Sequence, residues 1–154
     1  MNDGGEFGRS FRSIYPPELE VKCEHFGTYA TYLDLEITIV DGVFVFKLFD
    51  KRDGFPFFIV RMPDLSGNIP DHVFYGAIMS EFLRIARCTL LYKDFLTSAI
   101  ALFNRMVNQG GSKIKILNQI SKGVSRHPIP FKKFCKNAKK IREDISQGNI
   151  SYVL

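Results

Sequence analysis

Tyr32-Leu33-Asp34-Leu35-Glu36-Ile37-Thr38-Ile39-Val40-Asp41-Gly42-Val43-Phe44-Val45-Phe46-Lys47-Leu48-Phe49-Asp50 is the stretch that decides the fold. Up to Val40, the apolar Leu33, Leu35, Ile37 and Ile39 alternate with Asp34, Glu36 and Thr38. A period of two places successive side chains on opposite faces, so Tyr32–Val40 predicts one half-buried strand. Asp41-Gly42 supplies the positive φ values of a tight hairpin turn, and Val43–Asp50, rich in β-formers, predicts the return strand.

On the N-terminal side the pattern fades. Residues 1–13 are dominated by Asn, Asp, Gly and Ser without a period and predict a disordered leader. Met1–Ser10 has no apolar core of the kind a secretory signal needs. Tyr15-Pro16-Pro17 opens an extended segment, because a residue before proline is pushed out of the α region. Residues 14–70 thus read as the hairpin plus a connecting loop. Pro56, Pro63, Gly67 and Pro70 exclude a helix there and leave room for one short strand at Phe57–Arg61.

Beyond Pro70 the period changes to that of a helix. Tyr75, Ile78, Met79, Phe82, Leu83, Ile85 and Ala86 predict a helix over about 73–90. Leu96, Ala99, Ile100, Phe103, Met106 and Val107 predict a second over about 93–108, closed by Gly110-Gly111. A short third covers about 113–122 through Ile114, Leu117 and Ile120, and His127-Pro128-Ile129-Pro130 breaks the pattern. A last amphipathic segment over about 131–145 turns Phe131, Phe134, Cys135, Ala138, Ile141 and Ile145 inward. Lys132, Lys133, Lys136, Lys139, Lys140 and Arg142 crowd its outer side. The class is α+β: an N-terminal β-hairpin followed by a small helical bundle of three to four helices in residues 71–154, expected to form one compact unit with the hairpin.

Composition narrows the chemistry. A chain of 154 residues, 45% of them hydrophobic, suits one domain with a real core, and fifteen Phe with no Trp make that core aromatic. No run approaches the roughly 18–20 apolar residues of a membrane span. Cys23, Cys88 and Cys135 are odd in number and far apart, which predicts reduced thiols, an intracellular setting (cytoplasm or nucleus) and no metal site. No Asp-Asp pair is present for two-metal phosphoryl transfer. Asp34 and Glu36, two apart on the expected strand, form either a shared cation site, as a hydrolase would need, or the solvent face of a hairpin. His25, His72 and His127 stand beside turns, outside any nucleophile motif, and no Gly-rich loop runs into Lys-Ser/Thr. The sequence therefore predicts no catalytic residue, cofactor or small-molecule substrate.

Charge points elsewhere. Residues 1–70 carry 7 Lys and Arg against 11 Asp and Glu, whereas residues 71–154 carry 14 against 5, a balance of +9. A basic half with few acids suits a phosphate backbone. Arg84 and Arg87, three apart and neighbours on one helix face, are candidate phosphate contacts. Lys51 with Arg52 just past the hairpin, and Lys132, Lys133, Lys136, Lys139 and Lys140, complete the candidate set.

An ordered series of motifs resembles a known arrangement. It comprises Ile14-Tyr15-Pro16-Pro17-Glu18-Leu19-Glu20, Tyr32-Leu33-Asp34-Leu35, Lys47-Leu48-Phe49-Asp50-Lys51-Arg52-Asp53-Gly54-Phe55, Asn68-Ile69-Pro70, Tyr75-Gly76, Leu83-Arg84-Ile85-Ala86-Arg87-Cys88 and Gln109-Gly110. In order and spacing the series is similar to the region C-terminal to the catalytic palm in Penelope-like animal retroelement reverse transcriptases, over about residues 14–111. The resemblance implies a thumb, the helical element that grips an RNA–DNA or DNA template–primer duplex, with a palm domain as a further partner. It matches Arg84 and Arg87 to the family's helix arginines and Lys51-Arg52 to its basic dipeptide. Gly54 stands where the family usually has Asp, and Gly111 where the turn usually has an aromatic. The palm and its Asp-Asp site are absent from this sequence, so the expectation is a non-catalytic fragment. The rival expectation is a repurposed or inert protein-interaction domain whose apolar helix face once met a palm.

Overall fold

The structure, a computed structural model of the chain, describes residues 10, 13–19, 27–51, 55–57 and 64–148. Among the described residues one sheet of three antiparallel strands forms: β1 (Tyr29–Tyr32), β2 (Leu35–Val40) and β3 (Val43–Leu48), in spatial order β1-β2-β3. After the sheet the described residues form four α-helices: α1 (Asp71–Cys88), α2 (Tyr92–Asn108), α3 (Lys113–Arg126) and α4 (Ala138–Gln147), with a 3-10 segment at Ile129–Phe134 between the last two. The α+β arrangement of strands first and a helical bundle second is thus the observed one.

The β2–β3 hairpin follows the pattern in its residues. Val40 pairs with Val43 around Asp41 (φ 50) and Gly42 (φ 77), and both φ values are of the sign a two-residue hairpin requires. The single strand expected over Tyr32–Val40 is instead two strands. Leu33 adopts φ 54, Tyr32 pairs with Leu35, and Leu33-Asp34 is a second two-residue turn. Leucine carries no turn signal, and the alternation resumes at Leu35, so periodicity hid the break. Asp34 accordingly lies in a turn and Glu36 on a strand, and the shared face expected for them does not exist. The short strand considered at Phe57–Arg61 falls mostly outside the described residues, as does most of the 1–13 leader.

Cross-strand partners project to the same side, so register fixes the two faces of the sheet. One carries Leu35 with Leu48, Ile37 with Phe46 and Ile39 with Phe44; the other carries Glu36 with Lys47 and Thr38 with Val45. At the Leu48 end the apolar face meets the helices. Leu48 packs on the core, and the Leu90 N–H after α1 donates to the Phe46 carbonyl at 2.9 Å. At the other end the sheet runs past the bundle, and Phe44 is 65% exposed.

The core lies among the helices. α1 packs on α2 and α3, and α4 closes the bundle against α2 and α3. Phe74, Phe82, Phe95 and Phe131 are fully buried, each contributing about 1.5–3 kcal/mol of transfer free energy. Their rings interlock: Phe82 stacks on Phe131 at 5.4 Å between centroids, and Phe95 on Phe134 at 4.6 Å.

Two helical expectations are corrected. The third helix runs to Arg126, four residues further than expected, because nothing before Pro128 stops it. It buries Ile116, Ile120 and Val124, a stripe at intervals of four, and leaves Ile114 68% exposed. Two residues from Ile116, Ile114 points about 200° away around the axis. The amphipathic segment over 131–145 is not one helix. Cys135 turns left-handed at φ 51, and the Asn137 Oδ1 caps a new helix by accepting from the Lys140 N–H at 2.8 Å.

Candidate nucleic-acid interface

The basic residues of the C-terminal half are displayed by the break that periodicity missed. In a 3-10 turn, with three residues per turn, Phe131 and Phe134 project to the same side. Both are buried in the aromatic core, which forces Lys132 and Lys133 between them to point away from it, and both are exposed. Arg87 in the last turn of α1 joins them, because the Lys133 Nζ reaches its backbone carbonyl at 3.5 Å. A cation there also meets the partial negative charge of a helix C-terminus. The same ammonium lies 5.2 Å above the Phe134 ring and 5.9 Å above Phe46 of the sheet. Burial of part of this side chain lowers the Lys133 pKa from its ordinary value.

Lys136 sits 5.7 Å above the ring of Tyr92 at the start of α2. The Tyr92 hydroxyl donates to the Asp144 Oδ2 at 2.6 Å, and the Lys140 Nζ approaches the Asp144 Oδ1 at 2.9 Å. Burial first, and the Asp144 hydrogen bond second, push the Tyr92 hydroxyl pKa well up. Arg87, Lys133, Lys136 and Lys140 are thus joined through shared partners into one corner of the molecule. Asp144, its single buried carboxylate among the described residues, is engaged by Tyr92 and Lys140.

The candidates divide by what they already hold. Arg84 is committed within the protein. Its Nε donates to the Glu81 Oε2 at 3.0 Å, its second terminal nitrogen pairs with the other Glu81 oxygen, and its remaining nitrogen reaches the Asp34 Oδ2 at 3.2 Å. This fork, with Glu81 as the main cause, raises the Arg84 pKa further and ties α1 to the β1–β2 turn. Lys140 is engaged by Asp144, while Lys133 and Lys136 keep their ammonium groups over rings. Arg87, Lys132 and Lys139 are exposed and meet no carboxylate among the described residues, and Lys51 is likewise exposed. Arg52 lies outside the described residues.

Acidic side chains gather elsewhere. An open groove of about 500 Å³ between the end of the sheet and α2 is lined by Glu36, Asp50 and Asp94 with Lys47. Lys47 pairs with Glu36 at 2.9 Å across the strands, and Arg105 approaches Asp50 at 3.7 Å. Asp34 and Glu36 each answer a different cation. Among the described residues no three His, Cys, Asp or Glu side chains converge on a point that could hold a metal, and no helix is long and apolar enough to cross a membrane. A second groove of similar volume between α1 and α3 is lined by Asp71, His72, Tyr75, Met79, Lys115 and Arg126, with the Lys115–Asp71 ion pair at its edge.

No protein-family model, curated protein or solved structure matches this chain. Sequence reasoning found the basic residues but missed the ring contacts of Lys133 and Lys136, the Tyr92–Asp144 bond and the exposed Phe44. Tyr92 and Asp144 are 52 residues apart, and neither has a local signature of a buried polar pair.

Proposed function

We propose that this chain is a non-catalytic, thumb-like module of a retroelement reverse transcriptase that grips a template–primer duplex through its basic corner. The ordered motifs over residues 14–111 support the family reading. The exposed Arg87, Lys132 and Lys139, unopposed by carboxylates among the described residues, carry the binding reading. Such cations bind phosphates without reading sequence, and they release counterions from the duplex. Lys133 and Lys136, steadied over rings, contribute field at the same corner, and Lys51 is a further candidate for phosphate binding. Arg84 serves instead as the strut that orients α1 against the sheet. In this reading polymerase chemistry comes from a palm domain as partner, no cofactor is held here, and the module works inside the cell, where Cys88 and Cys135 stay reduced.

Fluorescence anisotropy with a labelled 20-base-pair duplex, titrated with salt, tests the reading. Binding is expected to be sequence-independent and to weaken steeply between 50 and 200 mM salt. The double variant Arg87→Glu/Lys132→Glu is expected to flatten the log–log salt slope by about 2, one for each cation withdrawn from a phosphate. Absence of duplex binding at the lowest salt, with the protein folded by circular dichroism, would refute the proposal.

A further inference from the structure

The apolar sheet face beside the basic corner is unfinished in an informative way. Ile39 and Phe44, partners across β2 and β3, stand on the same face as Ile37 and Phe46 but beyond the reach of the helices. Phe46 is half-buried under the Lys133 ammonium, whereas the Phe44 ring, two residues and about 6.6 Å further along the strand, is mostly in water. An exposed aromatic ring two residues along the strand from one covered by Lys133, whose ammonium also reaches the carbonyl of Arg87 and so ties those two cations to this end of the sheet, differs from a plain protein-docking patch. A purely apolar partner would have to strip the hydration from those cations and offer them nothing in return. A nucleic-acid strand satisfies both parts, because its phosphates meet the cations while an unpaired base presents a flat π-face to the ring. Within a duplex that face is hidden by stacking, so the ring can be used only where bases are unpaired.

We infer that Phe44, with Ile39 beside it, is a stacking platform for an unpaired base, and that the ligand of this corner is a duplex carrying a single-stranded overhang. The inference rests on the nucleic-acid reading above and names the part of the ligand that a basic corner alone would not distinguish. Because stacking is tolerant of base identity, the site accepts any of the four bases in DNA or RNA.

Three labelled probes test it on the full chain: a blunt duplex, the same duplex with a four-nucleotide overhang, and that overhang with abasic residues that keep every phosphate. The overhang is expected to tighten binding about tenfold over the blunt duplex, and the abasic version to remove that advantage. Phe44→Ala is expected to bind the overhang probe about tenfold more weakly and the blunt duplex unchanged. The exposed position makes misfolding of that variant no concern, and Phe44→Trp should retain the preference. Equal binding of overhang and blunt probes by the wild type, or an abasic overhang as good as the natural one, overturns the inference and leaves the duplex reading standing. Binding to none of the probes overturns both. Self-association of the wild type that Phe44→Ala abolishes, with no change on any probe, assigns the ring to a protein contact and likewise overturns the inference.

Discussion

At the scale of single residues, Gly111 and Tyr92 show how little room the fold leaves. A Cβ on Gly111 would stand 2.6 Å from the Met106 carbonyl oxygen and 2.9 Å from both Phe74 and Ile116. Backbone and core rings cannot both withdraw, so Gly111→Ala is expected to destabilise the protein by about 2–3 kcal/mol, measured by denaturant unfolding. Tyr92 gives a pH signature. Its hydroxyl stays protonated in the folded protein well above the ordinary tyrosine value near 10, so the unfolded chain loses that proton first as pH rises. Its contribution to stability is complete below about pH 10 and is lost above it. Tyr92→Phe is expected to cost about 1–2 kcal/mol at neutral pH and to flatten the alkaline fall in stability. Some slope should persist, because Lys47 and Lys140, both raised by their carboxylate partners, lose stabilisation in the same direction. Equilibrium unfolding between pH 8 and 11 checks both statements.

At the scale of elements, two arginines one turn apart on α1 do different work. Arg84 faces Glu81 and the β1–β2 turn, while Arg87 faces solvent beside the 3-10 segment. Arg84→Ala is expected to lower stability by about 1–2 kcal/mol, through loss of a partly buried fork and the tether to Asp34, and to leave duplex affinity within about twofold. Arg87→Ala is expected to do the reverse, with weaker binding and an unchanged melting temperature. Sequence placed both arginines on one exposed face, since a spacing of three makes them neighbours. What separated them was Glu81, three residues before Arg84 on the same helix, together with Asp34, which lies fifty residues earlier and is brought alongside by a turn with no sequence signal.

At the scale of the whole molecule, charge and apolar surface are arranged in sectors. The acidic groove lies between the sheet end and α2, and the basic corner lies where α1, α2, the 3-10 segment and α4 meet. The sheet bridges the two, since Glu36 and Lys47 on its polar face line the groove while Phe46 on its apolar face lies under Lys133. A ligand drawn to the basic corner by its charge therefore meets the sheet at Phe46, two residues along the strand from Phe44. The steering is electrostatic and long-ranged, whereas contact with the ring is short-ranged.

The residues by themselves determined the order of strands and helices, the turn at Asp41-Gly42, the aromatic core and the basic balance of the C-terminal half. Those features follow from local periodicity, φ preferences and counting, which act over a few residues. Only the tertiary structure decided that Tyr32–Val40 breaks at Leu33, that the 131–145 segment breaks at Cys135, and that Arg84 is engaged while Arg87 is free of carboxylates among the described residues. It also decided that Phe44 stands exposed while Phe46, two residues along the same strand face, lies under Lys133 from the far end of the chain. The physical reason is common to all four. Contacts that neighbouring residues make with distant parts of the chain, Asp34 with Arg84 and Phe134 with the core, accompany the left-handed turns at Leu33 and Cys135, supply or withhold a counter-charge, and end a buried face where the bundle ends. Such contacts leave no periodic trace in the local sequence.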